Sequence, residues 1–152
     1  MKVYIDSDIL IWHLRGEKKA MKFLKKLRSE PSSELCVGAM QRAEVVFFMR
    51  PEEEEATLLF LSQFKTAPVD QYVVDTASVL YRRWNPTRGM DVNDALLAAT
   101  VMRSGGVLYT LNEKHYPMED LVLNKNEVEK ICLLYTSPSP RDRTRSRMPS
   151  SA

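Results

Sequence analysis

The chain alternates short apolar, β-prone runs with longer segments of helical character, and that alternation limits its fold more than any other feature. The short runs are Lys2-Val3-Tyr4-Ile5, Leu35-Cys36-Val37, Ala67-Pro68-Val69, Val107-Leu108-Tyr109-Thr110 and Leu121-Val122-Leu123. Strands separated by helical segments pair in parallel, because a parallel connection needs a crossover on the order of a dozen residues or more. The expected fold is therefore α/β, a parallel sheet with helices on both faces in a three-layer α/β/α sandwich. In such sheets, sites form beyond the carboxyl ends of the strands. Asp6 follows the first strand and Asn112 a later one, so both are candidates for one site.

Local punctuation divides the helical segments. Ser7 or Asp8 caps a helix expected to run through Leu14, and Gly16 ends it. Residues 17–29 form a second helix, with Ala20, Leu24 and Leu27 on one face. A helix over 39–49 stops at Pro51, which then starts another from Glu52 to Phe64. The acids Glu52 to Glu55 suit the dipole of its first turns. Helix 70–83 is followed by a loop, Trp84-Asn85-Pro86-Thr87-Arg88-Gly89. Asp91 caps a helix from about Val92 to Arg103, and Gly105-Gly106 ends it.

Composition excludes several classes. The 152 residues hold 22 Lys+Arg and 20 Asp+Glu, a formal net charge of +2. Arg141, Arg143, Arg145 and Arg147 against Asp142 account for more than this excess, so the body is near neutral. Net charge therefore gives no ground for general nucleic-acid binding. Cys36 and Cys132 lie far apart without ligand spacing, which excludes a disulfide scaffold and a zinc ribbon and fits a reducing compartment. No apolar run approaches the ~20 residues of a membrane helix. The acid at position 6 comes too early for a secretory signal, so a cytoplasmic protein without membrane attachment is expected. Residues 1–131 are expected to form one domain. The Ser-, Pro- and Arg-rich residues 132–152 are expected to be disordered. From about Cys132 the string resembles translated adapter or vector sequence, so a non-native tail is expected there.

Three carboxylates carry the chemistry. Asp6 ends an apolar strand, although Asp is also a common turn residue. Glu44 has Met40, Ala43, Phe47 and Phe48 as helical neighbours, so it sits within or beside an apolar stripe. There it either needs a cation as partner or lies at the margin with its head in water. Asp91 and Asp94 share one face of a first helical turn. Asp91 is explained as a cap. Asp94 heads the apolar run Ala95-Leu96-Leu97-Ala98-Ala99, where dipole stabilisation alone is worth ~0.3–1 kcal/mol. Three distant acids with no His or Cys cluster point to a hard, oxygen-liganded ion, Mg²⁺ or Mn²⁺. Such an ion polarises a phosphoryl oxygen and acidifies a bound water, the chemistry of phosphodiester hydrolysis.

The segments VYIDSDILIWHLRG (3–16), AMQRAEVVFF (39–48), DVNDALLAAT (91–100) and LYTLNEKHYP (108–117) resemble, in order, those of the PIN domain. The closer resemblance is to the VapC-type toxin ribonucleases of bacterial and archaeal toxin–antitoxin pairs, over residues 1 to about 123. This resemblance implies metal-dependent RNA cleavage, a cognate antitoxin and a homodimer. It implies that Asp6, Glu44 and Asp94 form the acidic core, with Asp91 as a supporting acid or only the cap. It places Asn112, with Ser7 and Thr110, at the phosphate or the metal-bound waters. The family often carries a fourth acid in a Thr-x-Asn-x-x-Asp-Phe segment, where this chain has His115; one ion is therefore expected rather than two. Arg88, just ahead of Asp91, is a candidate phosphate contact.

Two other functions fit parts of the pattern. Asp6-Ser7-Asp8 and Gly89-Met90-Asp91-Val92-Asn93-Asp94 resemble motifs of haloacid-dehalogenase-like phosphatases, in which Asp6 would be a nucleophile. Against this, no strand precedes Gly89. A non-catalytic PIN-like module that binds RNA or a partner is the other alternative.

Overall fold

The computed structural model describes residues 1–119 and 121–123. Strand β1 (Lys2–Ile5) leads into helices α1 (Ser7–Leu14) and α2 (Lys18–Ser29). Strand β2 (Glu34–Gly38) leads into α3 (Ala39–Val46) and α4 (Glu54–Leu61). Strand β3 (Lys65–Ala67) is followed by α5 (Gln71–Arg88) and α6 (Val92–Ser104), and then by β4 (Val107–Tyr109) and β5 (Val122–Leu123). Among the described residues the sheet has five strands in the order β3-β2-β1-β4-β5. Every pairing is parallel.

Side-chain alternation explains the layers. Val3 and Ile5 of β1, with Leu35 and Val37 of β2, join a core with residues of α1, α2 and α4. Tyr4, Cys36 and Leu108 point the other way and pack with residues of α5 and α6. Successive residues of a strand face opposite sides, so β1, β2 and β4 serve both cores. Helix α2 shows the matching pattern: Ala20, Phe23, Leu24 and Leu27 are buried, while Lys18, Lys22, Lys25 and Lys26 face solvent. Each such Leu or Phe contributes about 1.5–3 kcal/mol by leaving water. Gly106 precedes β4 where β1 comes close: a Cβ there would lie 2.7 Å from the Lys2 carbonyl oxygen and 2.9 Å from the Tyr4 ring.

Topology positions the site. The chain builds outward from β1 to β2 and β3, then returns to the other side of β1 for β4. The direction of winding reverses between β1 and β4, which opens a crevice at their carboxyl ends.

Several boundaries differ from the sequence expectations. Residues 84–88 are not a loop; α5 continues through Pro86 to Arg88 and ends on Gly89, at φ 65°. Proline removes one backbone donor, but here that loss falls in the last turn and the left-handed glycine closes the helix behind it. Neither Ser7 nor Asp8 caps α1; Asp6 does, its carboxylate accepting from the Ser7 amide at 2.7 Å. Helix α3 ends at Val46, and Pro51–Glu53 form a 3₁₀ turn before α4. The third strand is Lys65–Ala67, two residues earlier than its apolar run, because Thr66 and Ala67 align with Val37 and Gly38. The tail at 132–152 and the domain limit at 131 lie outside the described residues. Among those described, no helix is long and apolar enough to cross a membrane.

Candidate active site

Asp6 stands where β1 ends, and its backbone amide donates to the Tyr109 carbonyl at 3.0 Å, extending the β1–β4 ladder by one bond. Its carboxylate is fully buried. Oδ1 accepts from the Ser7 amide, and Oδ2 accepts from the Thr110 hydroxyl at 2.8 Å and the Tyr116 phenol at 3.0 Å. Asp94, also fully buried, heads α6. It forms a reciprocal capping box with Asp91: the Asp94 amide donates to Asp91 Oδ1 at 2.7 Å, and the Asp91 amide donates to Asp94 Oδ2 at 3.3 Å. Asp94 meets the same phenol, with Tyr116 Oη 3.1 Å from Asp94 Oδ1. One hydroxyl thus stands between two buried carboxylates that come from segments far apart in sequence.

Glu44 completes the group at one remove. The Ser7 hydroxyl donates to Glu44 Oε2 at 3.0 Å, and Asn93 Nδ2 donates to Oε1 at 3.3 Å. Glu44 is half-buried and faces α1 and α6 rather than an apolar stripe; Phe47, one turn away, is 77% exposed. Buried Gln41, one turn earlier on α3, donates to the Asn93 carbonyl at 3.3 Å and ties α3 to the start of α6. His115 Nδ1 lies 3.2 Å from Asp94 Oδ2 but is not aligned for a hydrogen bond, and its side chain is 21% exposed.

The donor set is almost entirely oxygen, which suits a hard divalent cation. Among the described residues no three acidic, His or Cys side chains already form a closed metal cage. Asp6 and Asp94 fit instead the pattern of an ion held by two carboxylates and completed by water, as Mg²⁺ prefers. Two like charges buried around one point repel each other, and a cation between them relieves both that repulsion and their desolvation.

Residues 3–120 match the PIN domain family. The chain belongs to that family. This PIN domain is 31% identical over 117 residues to Ribonuclease VapC10 of Mycobacterium tuberculosis, covering 76% of the chain and 86% of that protein. It is 32% identical over 115 residues to Ribonuclease VapC19 of the same organism, covering 75% of the chain and 91% of that protein. Its fold is similar to that in a structure of VapBC2 from Rickettsia felis bound to a promoter DNA fragment, with TM-score 0.67, 18% identity, and 82% and 98% of the two chains covered. A toxin–antitoxin complex from Klebsiella pneumoniae is similar at TM-score 0.65 and 20% identity, over 79% and 95% of the chains.

The structure of this PIN domain brings Asp6, Ser7, Glu44, Asp91, Asp94, Thr110 and His115 into one connected group. Ser7 and Thr110 are buried and direct their hydroxyls to carboxylates. Asn112 donates to Asp8 at 3.2 Å. Arg88 is exposed at the end of α5 and lines an open groove with Lys114, Tyr116 and Glu119. The Gly89–Asp94 segment joins two helices and follows no strand, which removes the phosphatase reading. Tyr116, Asn93 and Asp8 are not among the nuclease-site residues expected from the sequence, where Asp8 stands only as a cap candidate and part of the Asp6-Ser7-Asp8 motif. The hydroxyl of Tyr116 was the available signal: an aromatic six residues past a strand end, polar at its tip, in a crevice where carboxylates were already expected.

Proposed function

We propose that this protein is a metal-dependent endoribonuclease, the toxin of a type II toxin–antitoxin pair, acting on RNA with Mg²⁺ or Mn²⁺ in the cytoplasm. The observation that carries this is the meeting of fully buried Asp6 and Asp94 at one phenol oxygen. The VapC ribonucleases it is similar to support the reaction class.

Asp6 and Asp94 hold the cation. When bound, the ion supplies charge stabilisation at the scissile phosphate and acidifies a coordinated water. Glu44 orients the attacking water and takes its proton. Ser7 and Asn93 hold one Glu44 oxygen each, so the base has a fixed direction. Thr110 fixes Asp6, and Asp91 fixes Asp94 through the capping box. His115 places a polar ring at the mouth of the site beside Asp94. Arg88 and Lys114 contact backbone phosphates of the RNA. Asn112 acts in the site through Asp8.

The toxin–antitoxin complexes with this fold support a protein partner for this chain. Exposed Phe47 and Leu59, on neighbouring helical segments, offer that partner apolar anchors. A homodimer is part of the same proposal, and elution as a monomer at micromolar concentration would remove it. The deciding experiment is cleavage of an RNA oligonucleotide by purified protein with Mn²⁺. The wild type cuts, EDTA stops it, and Asp6→Asn, still folded by circular dichroism, does not cut. Full cleavage by Asp6→Asn would overturn the assignment.

A further inference from the structure

Asp8 is a third fully buried carboxylate, beside the Asp6–Asp94 pair, and its bonds exceed what a helix needs. Oδ1 accepts from the Ile9 amide at 2.8 Å, an ordinary contact in the first turn of α1. Oδ2 reaches across more than a hundred residues of sequence. It accepts from the Leu111 amide at 3.0 Å and from Asn112 Nδ2 at 3.2 Å, and the Thr110 hydroxyl, whose one proton goes to Asp6, lies 3.4 Å away. Burying a carboxylate is costly unless its lone pairs are filled, and here the donors come from one short segment. That segment continues into the site: Thr110 donates to Asp6, and Tyr116 contacts both Asp6 and Asp94. The Asn112 amide also donates to the Thr110 hydroxyl at 3.1 Å, which fixes the oxygen aimed at Asp6.

We propose that Asp8 is a positioning residue that clamps the segment after β4, so that the Thr110 and Tyr116 hydroxyls meet the Asp6–Asp94 pair at the geometry cation binding and catalysis require. Asp8 does not touch the reacting atoms; it acts through Thr110 and Tyr116. An amide at position 8 would set an N–H against N–H donors on one of its two sides, which loosens either α1 or the clamp.

The kinetic arm rests on the ribonuclease function proposed above, while metal binding and amide exchange do not. The test compares wild type, Asp8→Asn and a control, Asp70→Asn, which keeps a capping oxygen for α5 but loses the ion pair with Arg103, at the opposite end of α6 from Asp94. Each is assayed below its own melting temperature for kcat and KM on an RNA oligonucleotide, for Mn²⁺ affinity by electron paramagnetic resonance, and for exchange of the Leu111 and Asn112 amides. Asp8→Asn is expected to lower kcat and Mn²⁺ affinity by roughly 10–100-fold, with little change in KM, and to speed exchange at Leu111. Asp70→Asn is expected to melt earlier with Mn²⁺ affinity and kcat of the wild type. Wild-type Mn²⁺ affinity and Leu111 exchange in Asp8→Asn would overturn the proposal. If Asp8→Asn does not fold, Asn112→Ala removes one donor from the clamp and must move both readouts in the same direction; unchanged values overturn it equally. A wild type that binds Mn²⁺ but cuts no RNA removes the ribonuclease function and leaves the clamp to be decided by the other two readouts.

Discussion

Replacing Tyr116 by phenylalanine keeps the ring and deletes one oxygen, which makes it a sharp probe of the acid pair. That oxygen lies 3.0 Å from Asp6 Oδ2 and 3.1 Å from Asp94 Oδ1, with both carboxylates fully buried. The phenol has one proton, so the loss is counted as one hydrogen bond to a charged group, about 1.5–3 kcal/mol. At roughly 2–4 °C per kcal/mol for a chain of this size, Tm in EDTA should fall by about 3–12 °C. Mn²⁺ works in the opposite direction. A ligand that binds only the folded state at a hundred times its Kd adds about 2.7 kcal/mol. The cation also relieves the carboxylate repulsion that Tyr116→Phe exposes, so saturating Mn²⁺ should raise Tm further in the variant than in wild type. Differential scanning calorimetry of both proteins, with EDTA and with Mn²⁺, reads all four values. An unchanged Tm in EDTA would show that the phenol does not bridge the acids, and an equal Mn²⁺ increment would place the ion elsewhere.

Glu44→Gln retains the side chain's size and its bond from Ser7 but removes its basicity; it should cut turnover by about 10²–10⁴-fold with Mn²⁺ binding largely kept, as measured by single-turnover cleavage and metal titration. Gly106→Ala pushes a methyl group into the Lys2 carbonyl and the Tyr4 ring, so it should destabilise by about 1–3 kcal/mol in urea unfolding. His13 stacks on Phe60, with ring centroids 4.1 Å apart, and its Nδ1 is buried without a hydrogen-bond partner. Burial, and then the charge of Arg28, lowers its pKa below the ordinary histidine value. The neutral form is therefore favoured in the fold. The stability this contributes is fully present above about pH 6.5 and is lost as pH falls toward the lowered value. His13→Phe should flatten that part of a Tm-against-pH curve, and a curve identical to wild type would refute the contribution.

Much of the fold was readable because its signals are local. The alternation of Val3, Tyr4 and Ile5 marks a strand serving two cores, and the Ala20–Leu27 spacing marks the buried face of α2. Asp91 and Gly105 bracket α6 by cap chemistry alone. The loop expected at 84–89 gives way to helix for an equally local reason: proline in a final turn costs little when Gly89 closes the helix. For the site, Asp6 and Asp94 stood out because acids at the ends of apolar elements need a reason to be there. Tyr116 and Asp8 did not, since their roles depend on the register of β1 against β4, and no spacing within either segment encodes that pairing. Glu44 lay between these cases. It does face inward, toward Ser7 and Asn93, but Phe47 and Phe48 turn to solvent, so the apolar stripe that periodicity drew through them is not the buried face of α3.

The return of the chain from β3 to the far side of β1 also sets when the acids can be gathered into one site. Asp6 and Asp94 are made first, and the Thr110 and Tyr116 hydroxyls that meet them follow just after β4, whose partner β1 was made over a hundred residues before. A nascent chain halted after α6 has its acids and no β4 to gather them. Contacts this distant in sequence form late in folding. The growing polypeptide therefore lacks the hydroxyls that bridge Asp6 and Asp94 until the segment after β4 has been made.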